Sequence, residues 1–334
     1  MKRLAIVILL LVLAVLAAGT AVVLDLLAYA AAPAKETAEA EVVAVSPGEP
    51  FSAIAGRLFD RELIVMPQKF KRYARLRGFD KQVKAGEYEL SAAMAPRQIL
   101  STLVAGKVRL RRLTIPEGYD LVQIAAAAAD AGLASEDEFL SKAYDEALVQ
   151  KMGIEAESFE GYLFPETYFF PRNQTSEQMI AAMVERFRSV FSPQWRRRAE
   201  QIGLSVHDIV TLASIIEKET GAAEERPLIA SVFHNRLAKG MRLESDPTVI
   251  YGIESFDGNL TRKHLRTLTA YNTYRIRGLP PGPIASPGRA SLEAALFPAK
   301  SPYLYFVSKK DGTHHFSATF REHRSAVRKY QLGR

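Results

Sequence analysis

From residue 4 to residue 24 the chain runs without a single charge, directly after the basic pair Lys2 and Arg3. At about 1.5 Å per residue a helix of that length spans ~30 Å, the thickness of a bilayer's hydrocarbon core. The run exceeds the ~7 to 15 apolar residues of a secretory signal. A retained single-pass helix is therefore expected over a cleaved signal, although small residues around 28–32 fit a cleavage pattern. The basic pair places residues 1–3 as a cytoplasmic stub of the inner membrane, with the remaining ~300 residues outside, in the periplasm or its equivalent.

The absence of cysteine excludes disulfides, thiolate metal sites and thiol nucleophiles. Lys and Arg outnumber Asp and Glu by 44 to 37, a formal net charge of +7, with basic clusters at 107–112 and 196–198. Outside a membrane the anionic partners of such clusters are lipid headgroups or cell-wall polymer, so no nucleic acid partner is expected. The simplest account of both clusters is a solvated basic face.

Residues 25–40 read as an Ala-rich linker. A small α/β pattern follows, with "EVVAVSPGEP" as strand and turn, "FSAIAGRLFDREL" and "MPQKFKRYARLRG" as helices, and "AGEYEL" as a closing strand. "LTIPEGYDLVQIAAAA" echoes "AVSPGEPFSAIAGRL" 70 residues on, matching Gly48 to Gly118 and Ile54 to Ile124. A true internal repeat and shared helix-entry physics both explain so short a match. The strand-helix-helix-strand order resembles LysM modules, which bind N-acetylglucosamine polymers, and residues 41–158 are expected to form a LysM-like glycan-binding region. From 159 to 334 the texture changes to longer helices at 176–190, 205–220, 223–239 and 290–297, with strands near 303–308 and 315–316. The expected fold class is α+β: one transmembrane helix at 4–24, the LysM-like region, then a mixed α+β catalytic domain.

The segment "SVHDIVTLASIIEKETG" poses the chemical question, because Glu217 and Glu219 stand together at its end. Ser205 and Asp208 form a capping-box variant, and Gly221 is expected to stop the helix. Ile209, Leu212, Ile215 and Ile216 define a buried stripe. Glu219 lies about 50° from its centre, and Glu217 over 100° away on the wet side. Desolvation and the negative end of the helix dipole both push the acidity of Glu219 down, as a general acid requires. Geometry alone leaves open that Glu219 merely pairs with a nearby Arg or Lys.

The runs "LASIIEKETGAAEERPLIASVFHNRLAKGMRLESDPTVIYG", "AYNTYRIRGLPPGPIASPG", "FPAKSPYLYFV", "EGYLFPETYFF" and "HHFSATFREH" together resemble the MltG-type (YceG-like) endolytic murein transglycosylases. The resemblance covers essentially the whole chain. It implies that Glu219 is the catalytic acid, that the substrate is peptidoglycan glycan strands, and that penicillin-binding synthases are partners in terminating nascent strands. In such a reaction the muramic C6 hydroxyl attacks its own anomeric carbon and leaves a 1,6-anhydro end, so one carboxyl group serves as acid and then base.

Around Glu219, the polar and aromatic loops offer Glu166, Asp246, Thr248, Tyr251, Tyr271, Asn272, Thr273 and Tyr274 as candidate substrate-binding residues. No cofactor and no metal are expected, since His314 and His315 point to opposite faces of a strand with no ligand set beside them. Two competing functions remain open at this level: a hydrolase in which Glu166 or Asp246 activates water, and a non-catalytic wall-binding scaffold.

Overall fold

The computed structural model describes residues 2–219 and 222–333. Gly221, the expected helix stop, lies outside them. The chain divides into two compact units. One runs through Arg111 and takes back Pro171–Asn173, and the other holds the rest. Residues 112–158, expected with the glycan-binding region, pack in the second unit, where Leu121, Ile124, Phe139 and Val149 are fully enclosed in its core.

The N-terminal helix extends over Lys2–Ala31, seven residues past the end of the apolar run. Its outer surface is exposed from Arg3 to Asp25, whereas Leu26, Tyr29 and Ala30 are buried. The segment 25–31 was expected as linker. It is helical because its Ala and Leu residues favour helix, and Leu26, Tyr29 and Ala30 fall at i, i+3 and i+4, making a buried stripe of which Tyr29 and Ala30 join the core of the first unit.

In that unit the strand Ala40–Val45 pairs antiparallel with Gly86–Ser91, and the helices Phe51–Asp60 and Pro67–Leu76 connect them, followed by Pro96–Ala105. The strand-helix-helix-strand order is the expected one, and the helix Pro96–Ala105 was not anticipated. Val43, Leu58, Phe70, Tyr88, Leu90 and Ile99 are all fully buried, and each apolar side chain so enclosed contributes roughly 1.5–3 kcal/mol. The two matched turns share their backbone geometry, with Gly48 at φ 73° and Gly118 at φ 80°. Only glycine enters that region without strain. Helix entry then buries Ile54 and Ile124 alike.

The core of the second unit centres on the helix Val206–Glu219, which packs against Arg226–Ala238 and Arg289–Leu296. Ser205 and Asp208 cap it reciprocally: the Asp208 N–H donates to Ser205 Oγ at 3.0 Å, and Asp208 Oδ2 accepts from the Ser205 N–H at 2.9 Å. The helix Ser176–Val190 has the bounds expected from sequence, and the expected helix 223–239 is a short 3-10 turn, Ala223–Glu225, leading into Arg226–Ala238. Tyr305–Ser308 pairs antiparallel with His314–Ser317 to complete the α+β character.

The proline-rich loop 278–288 is strapped along the central helix at three levels. The Pro281 carbonyl lies 2.8 Å from His207 Nε2, the Ile284 N–H donates to Ser214 Oγ at 3.0 Å, and the Gly288 N–H donates to Glu217 Oε2 at 2.8 Å. Gly161, in "EGYLFPETYFF", is at φ 80°, and a Cβ there would stand 2.5 Å from Pro283. That close approach requires glycine.

Candidate active site

Glu219 ends the central helix at the wall of a cavity of about 350 Å³, shared with Arg236, Leu243, Glu244, Asp246, Tyr274, Phe306 and His323. Its Oε1 accepts a hydrogen bond from Ser245 Oγ at 2.5 Å. The residue keeps a partly accessible edge toward the cavity, yet its carboxyl is enclosed enough that loss of hydration pushes its pKa up to about 7. The Ser245 bond opposes the rise, the Asp246 charge adds to it, and His314 and Arg236 act against it. Both the raised pKa and its desolvation cause agree with the helical-wheel expectation.

Asp246 opens the short helix Asp246–Tyr251 and accepts the Tyr274 hydroxyl at 2.7 Å. Beneath them Thr248, Asn272 and Thr273 are fully buried. Thr273 Oγ1 accepts the Ser245 N–H at 3.0 Å, Thr248 Oγ1 donates to the Ser245 carbonyl at 2.7 Å, and the two threonine hydroxyls lie 2.8 Å apart. Asn272 spends its amide on the carbonyls of His264, Leu265 and Thr267. These three side chains build the loops that present Ser245, Asp246 and Tyr274.

Arg236 has a similar structural role. Its guanidinium donates to the carbonyls of Leu304, Arg242 and Leu243 and to Glu244 Oε2 at 3.0 Å, lying 5.0 Å from the Tyr305 ring. Ser245, Arg236, Glu244, Phe306 and His323 were not singled out from sequence. For Ser245 a signal exists, since a serine ahead of Asp-Pro is a natural helix N-cap.

Glu166 is placed differently: it forms an ion pair with Arg186 and is absent from the cavity lining. His314 and His315 diverge as expected of strand neighbours. Glu225 accepts both the His314 backbone N–H (2.9 Å) and its Nδ1 (2.6 Å), whereas the His315 ring packs on Tyr330.

Glu217 does not face water. Its side chain is 6% exposed, its Oε1 lies 3.1 Å from Arg226, and its Oε2 accepts the Gly288 N–H. The wet-side expectation fails because the helix is enclosed nearly all round, with Val210, Thr211, Ala213 and Ser214 also buried.

Tyr251 and Tyr271 pair with ring centroids 4.8 Å apart, beside a second enclosed acid. Glu160 is 3% exposed, and its Oε2 accepts from the Leu121 N–H at 3.2 Å and the Tyr251 hydroxyl at 3.0 Å. Burial pushes its pKa up to about 8, against the pull of those two bonds. The folded state thus holds a proton that the unfolded chain releases near the ordinary carboxyl value of about 4.3. Stability from this group is complete below that value and is lost as pH rises through about 8. The thermal midpoint is expected to fall between pH 6 and 9, and Glu160→Gln, which mimics the protonated acid, should flatten that fall by at least a few °C. Calorimetry across the range checks it, and an unchanged slope in the variant would remove Glu160 from the account.

The sequence model of the YceG-like family matches residues 43–329. An endolytic murein transglycosylase of Bacillus subtilis (strain 168) is 37% identical over 299 residues, covering 85% of this chain and 82% of that protein. One from Streptococcus pneumoniae serotype 2 is 32% identical over 270 residues, 72% of this chain, which spans about half of that protein's length (49%). A crystal structure of a YceG-like protein from Listeria monocytogenes superposes with a TM-score of 0.60 at 37% identity, over 87% of this chain and 100% of that one.

Proposed function

The chain belongs to the YceG-like family and is a lytic transglycosylase acting on peptidoglycan, and from that premise we propose that Glu219 cleaves the β-1,4 bond between N-acetylmuramic acid and N-acetylglucosamine within glycan strands. The observation that carries the proposal is a carboxyl raised to about 7 at the wall of a cavity lined by polar and aromatic side chains. With Ser245 donating to Oε1, that oxygen is the acceptor of the carboxyl group, and Oε2 carries the acidic proton. The proton passes to the glycosidic oxygen as the bond breaks. The resulting carboxylate then takes the proton of the muramic C6 hydroxyl as that oxygen attacks C1, closing the 1,6-anhydro ring and restoring the acid. Because the nucleophile is tethered to the reacting carbon, no second carboxylate is needed to activate water.

Asp246, beside Tyr274 in the same cavity, gives the hydrolytic alternative its one concrete support. Mass spectrometry of digested sacculi separates the two. Anhydro ends, lighter by one water than reducing ends, support transglycosylation. Reducing ends alone would overturn it.

Only protonated Glu219 donates, so kcat/KM should fall as pH rises through about 7. Asp246→Asn removes a charge that raises the pKa of Glu219, and the falling limb should move to lower pH. A limb that stays in place or moves upward in the variant would separate Asp246 from Glu219.

The wider assignment extends to the first unit and the N-terminal helix. The helix is long and apolar enough to span a membrane, which supports a single-pass anchor with the N-terminus inside and the catalytic region outside. The strand-helix-helix-strand order of residues 40–91 supports a LysM-like glycan-binding role. An enzyme anchored there acts on nascent strands beside the penicillin-binding synthases that extend them.

A further inference from the structure

The uncharged run of the N-terminal helix ends at Leu24, and the next residue, Asp25, binds Lys69 Nζ at 2.7 Å. Lys69 stands in the first turn of the helix Pro67–Leu76, which packs on the N-terminal helix. Leu26 is already buried, and Tyr29 and Ala30 are core residues of the first unit, so its folded body begins within about two helical turns, or ~10 Å, of the end of that run. There is no slack chain between the two.

At this junction two large apolar side chains face outward, Val65 at 54% and Met66 at 48% exposure. The sequence from residue 63 to residue 79 carries Lys69, Lys71, Arg72, Arg75 and Arg77 and no carboxylate. Arg72, Arg75 and Arg77 are exposed. Exposed apolar residues next to a basic helix in which, among the described residues, only Lys69 pairs with a carboxylate, that of Asp25, held at the mouth of a bilayer-length span, match a surface of anionic headgroups over an acyl boundary. A soluble face explains the cations but leaves Val65 and Met66 in water. A glycan partner offers neither acyl chains nor the same charge density.

Resting on the reading of the N-terminal helix as a membrane span, we propose that the first unit docks on the anionic lipid surface of that same bilayer through Val65, Met66 and the basic face of Pro67–Leu76. The bilayer thereby holds the unit by two attachments, a span and a lateral face. The docking fixes the orientation of the first unit on the membrane, where a flexible tether would leave it free.

The chain has no cysteine, so single labels are clean. The full chain is reconstituted in phosphatidylglycerol-rich vesicles with a fluorophore at Met66→Cys, at Val12→Cys within the span, or at Glu89→Cys on the strand pair. Nitroxide lipids quench at headgroup depth or deep in the chains. The expected result is deep quenching at position 12 and headgroup quenching at position 66 at least twofold above that at position 89. Replacing phosphatidylglycerol by phosphatidylcholine, or combining Lys71→Gln, Arg72→Gln and Arg75→Gln, should bring position 66 down to the level of position 89.

Deep quenching at 12 with equal quenching at 66 and 89 overturns docking while the span stands. No quenching at 12 removes the span, and the proposal with it. Strong quenching at 66 that ignores both the lipid charge and the triple substitution overturns recognition of anionic lipid. Protection of the label by added soluble glycan strands, without lipid quenching, assigns the face to the wall polymer instead.

Discussion

Glu219→Gln should lower kcat on intact sacculi by roughly 10²–10⁴-fold, the range spanned by loss of a positioned proton donor. The amide keeps the shape of the side chain and still offers an oxygen to Ser245 Oγ, which now reaches Glu219 Oε1 at 2.5 Å. It has no acidic proton for the leaving oxygen and cannot later act as base, so both halves of the reaction fail together. Since a carboxyl raised to about 7 sits in an environment that disfavours its charge, the neutral amide should fold at least as stably near neutral pH. Purified variant assayed for anhydro products, with thermal melting in parallel, checks both parts. Residual cleavage within tenfold of the unsubstituted enzyme would move the acid elsewhere in the cavity.

What made the burial of Glu219 legible in the sequence was local, whereas its role as the acid came from the family resemblance. A capping box fixed where the helix starts, and the 3.6-residue period then placed Ile215 and Ile216 beside the carboxylate. The same wheel misplaced Glu217, because a wheel knows one helix and assumes one wet side. Arg226–Ala238 and Arg289–Leu296 cover the other side here, and nothing in the period of one segment announces them. Long-range partners were invisible for the same reason. Ser245 approaches Glu219 from 26 residues away, and Tyr251 reaches Glu160 across 91.

The polar and aromatic character of two loops offered Asp246, Tyr274, Thr248, Asn272 and Thr273 as substrate-binding candidates, but could not separate the cavity-facing Asp246 and Tyr274 from the buried supports. The strand-helix-helix-strand run of the first unit followed from punctuation by Pro and Gly, whereas the helix Pro96–Ala105 was not anticipated. The segment 25–31 did not follow from it either, since an Ala-rich stretch reads equally as spacer or helix until a core is there to receive Tyr29. Turn chemistry likewise could not reveal that the compact units divide at Arg111.

Glu217 carries the largest expected effect on stability. Its carboxylate joins three elements of the second unit: it sits on the central helix, pairs with Arg226 at the start of Arg226–Ala238, and accepts the N–H of Gly288, the N-cap of Arg289–Leu296. Arg226, only 12% exposed, also donates to Ser291 Oγ at 3.1 Å on that last helix. Removing Glu217 leaves Arg226 with only the half-exposed Glu117 carboxylate, 3.9 Å away, so the loss is expected at the low end of the roughly 3–5 kcal/mol of a broken buried pair. Glu217→Ala should therefore melt far below the unsubstituted protein. Glu217→Gln retains an acceptor for Gly288 and should fall between, keeping much of the activity per folded molecule at low temperature, because the proton donor is untouched. Arg226→Met combined with Glu217→Leu removes both charges and should recover part of the loss, since the remaining cost is packing alone. Thermal unfolding of the four proteins, with cleavage measured well below each midpoint, tests the division of labour. If Glu217→Gln loses activity as deeply as Glu219→Gln while still folded, Glu217 takes part in the chemistry and the stapling role is insufficient.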